Sequence, residues 1–151
     1  MVPPEGASVM PEKSTKTDVI RSTLIAPCGM NCRLCRAYVR DVRACPGCRG
    51  GDGFKSKACI ACPIKGCEKV VHAEVKYCFN CDSYPCARLN HLDQRYRIKY
   101  CLSMIDNLEA IRKFGIRHFL RSEKERWTCP ECGEILCVHK PQCISCGYQW
   151  R

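Results

Sequence analysis

The chain has 151 residues, of which 17 are cysteine, a fraction well above that of ordinary globular proteins. Without these cysteines the hydrophobic content of 46% falls to about 34%, and Val, Ile, Leu and Phe together number only 31. So few apolar residues do not build a conventional core for a chain of this length, so disulfides or metals must hold part of it together. No apolar run reaches the length of a transmembrane helix, and the formal net charge is +10.

The N-terminal residues 1–22 are polar and contain three prolines, which predicts a disordered tail. They lack the basic and apolar regions of a secretory signal. We therefore expect a cytoplasmic protein in a reducing compartment, where cysteines bind metals rather than form disulfides. The odd number of cysteines also excludes complete disulfide pairing.

Residues 23–87 form a Cys-rich segment with eleven cysteines and recurrent Gly and Pro. This composition predicts short turns and one-turn helices around metals, that is, a multi-zinc knuckle domain. A C-x-x-C pair turns two thiolates toward one point, which suits a tetrahedral metal site. Six such pairs occur along the whole chain: Cys32/Cys35, Cys45/Cys48, Cys59/Cys62, Cys78/Cys81, Cys129/Cys132 and Cys143/Cys146.

Residues 88–126 have a different character, because cysteine is nearly absent and apolar residues recur at helical intervals. The pattern from Leu89 to Phe114 predicts one amphipathic helix that ends at the glycine after it. A second, shorter helix is predicted to run to about Arg126. Cys101 lies inside the first helix without a nearby partner, and we interpret it as a small buried hydrophobic residue.

Residues 127–151 contain two C-x-x-C-G knuckles separated by a short apolar segment. Glycine after a knuckle lets the backbone direct its N–H groups at sulfur. The pattern predicts a zinc ribbon. Cys137 and His139 lie between the knuckles and are interpreted as structural, although either could supplement or replace a ligand. The predicted ligands are Cys129, Cys132, Cys143 and Cys146.

The blocks IAPCGMNCRLC, CPGCRG, CIACPIKGC and CFNCDSYPCARL resemble, in order and spacing, a bacterial and archaeal Cys-rich family, domain of unknown function 3795. The resemblance spans roughly residues 24–146, since family members often continue into a helix and a CPECG…CVH…CISCG tail. The resemblance implies zinc binding but does not imply any enzymatic activity. The ligands that it implies are Cys28, Cys32, Cys35, Cys45, Cys48, Cys59, Cys62, Cys67, Cys78, Cys81 and Cys86.

Other chemistries fit the spacing less well. The C-x3-C-x2-C run at Cys28 is the spacing of radical S-adenosylmethionine enzymes, but the chain is too short for their barrel. His72-Ala-Glu74 before Cys78 imitates a zinc deaminase signature, but the intervening residues are too few for its geometry. An iron–sulfur electron carrier stays as the alternative, because clusters also take cysteines at this spacing. His72 or His91 could complete a zinc site.

Positive charge is concentrated in residues 88–126, because metal-bound thiolates would cancel the excess of the Cys-rich segment. A basic stripe on a helix can follow a phosphate backbone. Acidic residues nearby, among them Glu109, Glu123 and Glu125, favour a solvated face instead. The basic stripe consists of Arg117, Arg121 and Lys124.

We therefore predict a small, metal-stapled, mostly irregular protein with a zinc-knuckle domain (23–87), an α-helical connector (88–126) and a zinc ribbon (127–151). About four zinc ions are expected, since the fifteen cysteines other than Cys101 and Cys137 approach the sixteen ligands of four closed sites. The predicted function is a structural or interaction module with a protein partner. Nucleic acid is a less favoured partner, and no membrane contact is expected. No nucleophile–base pair supports catalysis, so no catalytic residue is predicted.

Overall fold

The computed structural model describes residues 19–151. Residues 1–18 of the predicted tail therefore lie outside the described part of the chain. Ile20 is already buried, so ordered packing begins within the last residues assigned to that tail. None of the helices formed by the described residues is both long and apolar enough to cross a bilayer.

Single turns make up the Cys-rich segment, and most of them begin at or beside a cysteine. Cys35 and Cys67 directly precede one-turn helices, and Cys32 and Cys78 begin 3-10 turns. The turns are 3-10 helices at Ser22–Leu24, Cys32–Leu34 and Cys78–Asn80, and the α-helices α1 (Arg36–Val39), α2 (Lys57–Ile60) and α3 (Glu68–Val71). Residues 19–151 contain isolated β-bridges but no sheet. The predicted mixture of irregular and helical structure is confirmed.

Three longer helices follow: α4 (Ala87–Tyr100), α5 (Met104–Phe114) and α6 (Ile116–Trp127). The prediction of one helix from Leu89 to Phe114 is wrong, because the chain leaves the helical path between α4 and α5. Cys101 ends α4 in the left-handed region, with φ 57°. It is exposed, which also contradicts its interpretation as a buried residue.

Polar side chains fix the break between α4 and α5. Ser103 caps α5, since its hydroxyl accepts a hydrogen bond from the Asp106 N–H at 3.0 Å. The same hydroxyl donates to buried Asp93 at 2.6 Å, and Asp93 also accepts from the Ile105 N–H at 3.0 Å. These bonds satisfy the first N–H groups of α5, so a new helix starts where the apolar pattern alone shows no interruption.

One hydrophobic core is shared by all three predicted segments. Ile25 and Leu34 of the Cys-rich segment are completely buried. They belong to the same cluster as Leu89 of α4, Leu108 of α5 and Val138 near the C-terminus. Each of these aliphatic side chains stabilises the fold by about 1.5–3 kcal/mol. The cysteines are therefore held on a common core rather than on separate ones.

The CGMNC loop (residues 28–32) is fixed directly to the helices. A side chain on Gly29 would place its Cβ 2.6 Å from the Met104 carbonyl oxygen. Asn31 is completely buried and donates to the Glu123 carboxylate of α6 at 3.1 Å. Burial raises the pKa of Glu123, which favours its neutral form. The helices thus determine where the loop cysteines lie.

Candidate metal centre

The four C-terminal cysteines form a compact set. Their sulfur atoms all lie within 4.8 Å of one another, and no other set of three or more His, Cys, Asp or Glu between residues 19 and 151 does so. The sulfurs of Cys129 and Cys146 are 3.6 Å apart, as are those of Cys132 and Cys143. Zinc at 2.3 Å from four sulfurs gives a tetrahedron with edges of about 3.8 Å. The sulfur positions therefore fit one tetrahedral metal ion.

The two knuckles that carry this set have the same local structure. In the first, the Cys129 N–H donates to the Glu134 carbonyl at 2.7 Å and the Gly133 N–H donates to the Cys129 carbonyl at 2.9 Å. The second knuckle repeats both bonds at the same lengths, with Cys143 in the place of Cys129. Gly133 and Gly147 both have φ 83°, where a side chain is strained. Both glycines thus adopt a backbone conformation that favours glycine, as expected for a C-x-x-C-G knuckle.

The electrostatics of these thiols favour a bound cation. Although loss of hydration opposes ionisation, the N–H groups of Cys132 and Glu131 lower the pKa of Cys129 to about 7. The Glu134 N–H favours ionisation of Cys132, but loss of hydration and the neighbouring thiols raise its pKa to about 12. Cys129 therefore ionises easily, and its negative charge opposes the ionisation of a second thiol in the set. A divalent metal ion reduces this conflict, since it binds all four thiolates and offsets two of their four negative charges.

Two tryptophans attach the four-cysteine set to the fold. Trp127 ends α6 and is buried, and its carbonyl accepts from the Leu136 N–H at 2.7 Å. The second knuckle has the matching bond, in which the Trp150 N–H takes the place of the Leu136 N–H and donates to the Pro141 carbonyl at 2.9 Å. The two rings meet edge to face, with centroids 5.1 Å apart. The knuckles are therefore packed on α6.

In the Cys-rich segment, one group of thiols gathers around Cys48. Its N–H donates to the Cys32 sulfur at 3.4 Å. Burial raises the pKa of Cys28 well above its usual value, and the adjacent charges of Cys48 and Cys32 raise it further. The pKa of Cys48 is itself raised by burial and then by Cys62. Four of the predicted ligands therefore lie in one neighbourhood, which also borders Cys78, Cys35 and Cys45. These four are Cys28, Cys32, Cys48 and Cys62.

A second group lines a small pocket of about 40 Å³. Burial, followed by the neighbouring charges of Cys86 and Cys67, raises the pKa of Cys78 to about 12. The Lys69 ammonium lies 3.5 Å from the sulfur of Cys81. The cysteines that line this pocket are Cys67, Cys78, Cys81 and Cys86.

Three predicted ligands of the Cys-rich segment remain outside these groups. Cys45 is buried, Cys35 is half-buried and Cys59 is exposed. Burial raises the pKa of Cys35, and the nearby charges of Cys59 and Cys137 raise it further. The eleven thiols of the Cys-rich segment thus lie near one another in groups. Within residues 19–151, however, no three of their sulfur atoms are as close together as those of the C-terminal set.

The histidines considered as ligands have other positions. His72 and His91 are exposed. His139 has both ring nitrogens engaged, since Nδ1 accepts from the Arg36 N–H at 3.2 Å and Nε2 lies 3.0 Å from the Tyr96 hydroxyl. Burial, aided by nearby arginines, lowers its pKa to about 4, so the ring is neutral. His139 is therefore a structural residue that joins the C-terminal segment to α1 and α4.

Two of the three acidic residues expected to balance the basic stripe are engaged elsewhere, whereas Glu125 is exposed on the same helix as the stripe. Glu123 is buried against Asn31. Glu109 pairs with Arg112 and accepts from the Tyr84 hydroxyl at 2.7 Å. The stripe is less balanced than the sequence indicates, and its three residues are exposed: Arg117, Arg121 and Lys124.

Comparison with known proteins identifies one family. Residues 24–91 match the family described as protein of unknown function (DUF3795), which confirms the resemblance over the Cys-rich segment and the start of α4. The match does not extend to the C-terminal four-cysteine set. No curated protein and no solved structure matches the chain.

Proposed function

We propose that this chain, with its DUF3795 segment at residues 24–91, is a zinc-binding structural or interaction module. The observation that carries the proposal is the C-terminal set, whose four sulfurs lie within 4.8 Å of one another, with two pairs at 3.6 Å, as suits tetrahedral zinc. Four protein thiolates fill the coordination sphere of zinc and leave no position for substrate or water. The metal is therefore structural rather than catalytic.

The two thiol groups of the Cys-rich segment supply further sites in this proposal. The first holds zinc with Cys28, Cys32, Cys48 and Cys62, and the second with Cys67, Cys78, Cys81 and Cys86. Burial supports this assignment, because thiols with a raised pKa are costly to ionise unless a cation neutralises them. Cysteine side chains must rotate inward to reach tetrahedral distances, since these sulfurs are farther apart than those of the C-terminal set.

Metal content tests the proposal. Protein purified anaerobically is expected to contain about four zinc ions per chain, the number of closed four-ligand sites that sixteen donors allow. Changing Cys132 to Ser is expected to remove about one ion, because it breaks the compact set. Exposed Cys101 provides the matched control, and Cys101→Ser is expected to keep the full content. An unchanged zinc content in the Cys132 variant would contradict the assignment of this set.

An iron–sulfur protein is the second candidate, and the wider spacing of the N-terminal sulfurs favours it there. A cluster is larger than a single ion, so its cysteine ligands stand farther apart. The two candidates differ in metal and colour. Brown protein with stoichiometric iron and a broad visible absorption band would assign clusters to the Cys-rich segment. Colourless protein with zinc alone supports the leading proposal.

We propose protein rather than nucleic acid as the partner. Four large apolar side chains of the Cys-rich segment are exposed, which supports a protein-binding surface. Their exposed fractions are 73% for Val42, 61% for Val71, 51% for Phe54 and 49% for Ile60. The basic stripe supports the nucleic-acid alternative, since buried Glu123 does not neutralise it. A direct measurement of nucleic-acid binding therefore has to distinguish a protein partner from a nucleic-acid partner.

We expect only weak nucleic-acid binding at physiological salt. About five phosphate contacts by the helical segment would give a log–log salt slope of roughly −4 on duplex DNA, so affinity would fall steeply. Titration of labelled single- and double-stranded oligonucleotides at several salt concentrations measures this slope. Sub-micromolar binding at physiological salt would overturn the expectation if it were lost when the stripe is changed to alanine at Arg117, Arg121 and Lys124.

A further inference from the structure

Cys137 lies against the Cys-rich segment. It is completely buried, although it is far from that segment in sequence. In the next residue along the chain, the Val138 N–H donates to the Leu34 carbonyl at 2.9 Å. The Arg36 N–H donates to Nδ1 of His139 at 3.2 Å. Residues 137–139 therefore run beside residues 34–36, and these two bonds place Cys137 next to Cys35.

The backbone around the Cys137 sulfur resembles that around the C-terminal set. The Lys140 N–H donates to the Cys137 carbonyl at 3.2 Å and closes a turn around this side chain. Burial raises the pKa of Cys137, and the amide groups of His139 and Lys140 oppose this shift. In the C-terminal set, the N–H two residues after Cys129 donates to its sulfur at 3.4 Å and likewise favours the thiolate. Such N–H bonds stabilise a thiolate and are typical of the outer shell of a metal site.

Further thiols border the same position. The Tyr38 N–H donates to the Cys35 carbonyl at 3.0 Å. Burial raises the pKa of Cys35, the amide groups of Ala37 and Tyr38 oppose this shift, and the nearby charges of Cys59 and Cys137 add to it. The Cys45 N–H donates to the Ala37 carbonyl at 2.8 Å, which brings buried Cys45 to the same turn. These three are the predicted ligands left over from the two groups described above.

We infer that Cys137 is a metal ligand that completes a further four-thiolate site together with the Cys-rich segment. Its partners in that site are Cys35, Cys45 and Cys59. The inference deepens the proposed function and rests on it. The site binds zinc through four soft thiolates, and the cysteine side chains rotate inward to close it.

The count of donors supports this site. The C-terminal set and the two groups of the Cys-rich segment take twelve of the seventeen cysteines. The site at Cys137 takes four more, so Cys101 alone is left over, and it is exposed at the end of α4. No histidine is then required. This agrees with the engagement of both His139 nitrogens by Arg36 and Tyr96.

Variants of three cysteines test the inference in the full chain. Cys137→Ser is expected to lower the zinc content from about four ions to about three, whereas Cys101→Ser leaves it unchanged. Metal analysis after gel filtration under reducing conditions measures both. A full complement of zinc in folded Cys137→Ser protein would overturn the inference. The Cys132→Ser variant distinguishes failure of this inference from failure of the proposed function. If it loses one zinc ion, the C-terminal site is upheld, regardless of the zinc content of the Cys137→Ser variant.

The wild-type protein gives a second test that does not depend on the folding of a variant. When the zinc is replaced by cadmium-113, each ligating cysteine couples through its sulfur to the metal nucleus. We expect the Cβ protons of Cys137 to couple to the same cadmium resonance as those of Cys35. Absence of any cadmium coupling at Cys137, with coupling present at Cys129, would overturn the inference and leave the proposed function intact.

Discussion

Removal of zinc with a strong chelator is expected to unfold the Cys-rich segment and the C-terminal knuckles. One structural zinc site contributes about 10–16 kcal/mol in small zinc domains at neutral pH. A whole globular domain is stable by only about 5–15 kcal/mol. Loss of even one ion therefore exceeds what the small aliphatic core can compensate. The buried thiols Cys28, Cys32 and Cys45 would lose the cation that balances their charge.

The helices are expected to respond less than the knuckles. Helices α4, α5 and α6 contain 14, 11 and 12 residues, lengths at which an isolated helix is marginal. They should lose tertiary support and keep part of their helicity. Amide NMR spectra report the knuckles, and far-UV circular dichroism reports the helices. Unchanged amide dispersion of residues 28–86 after chelation would show that metal does not hold this segment together.

Gly29→Ala is expected to destabilise the protein by roughly 2–5 kcal/mol. The new Cβ would lie 2.6 Å from the Met104 carbonyl oxygen and 2.9 Å from Cγ of Leu108. Overpacking of this kind costs about 1–3 kcal/mol. The left-handed φ of +93° adds about 1–2 kcal/mol for a residue with a side chain. The loop cannot move away freely, because the Asn107 side chain donates to the Gly29 carbonyl at 2.9 Å.

Gly147→Ala is the matched control for this substitution. Gly147 has a similar φ of +83°, and a Cβ there would meet nothing within 4 Å. Only the backbone strain applies, so the loss should be about 1–2 kcal/mol. Denaturant unfolding of the zinc-loaded variants measures the difference in the free energy of unfolding. Equal losses in the two variants would contradict the close packing of Gly29 on α5.

Local sequence signals predicted local structure well. The C-x-x-C-G knuckles were predictable because each one is closed by bonds between near neighbours, such as Gly133 to Cys129. The end of α5 was predictable for the same reason, since a glycine follows Phe114 directly. The break after α4 was missed because the apolar repeat continues across it. Ser103 followed by Asp106 is a capping pattern that indicates the break in retrospect.

Long-range relations were not predictable from the spacing of cysteines. In the proposed sites, Cys32 and Cys35 belong to different metals, although they form one C-x-x-C pair. Spacing brings two thiols near each other, but the surrounding fold decides which metal each one faces. Asn31 and Glu123 show the same limit, since their buried hydrogen bond joins residues 92 positions apart. No local pattern marks either residue.

The paired indole rings make one end of the molecule optically distinct. Trp127 and Trp150 are the only two tryptophans of the chain, and their rings contact each other beside the C-terminal knuckles. Fluorescence excited selectively in indole therefore originates entirely from this end. During a metal titration, an equivalent that shifts the emission is bound by the C-terminal set, whereas one that leaves it unchanged is bound elsewhere. The chain thus carries an intrinsic probe that reports the order in which its sites fill.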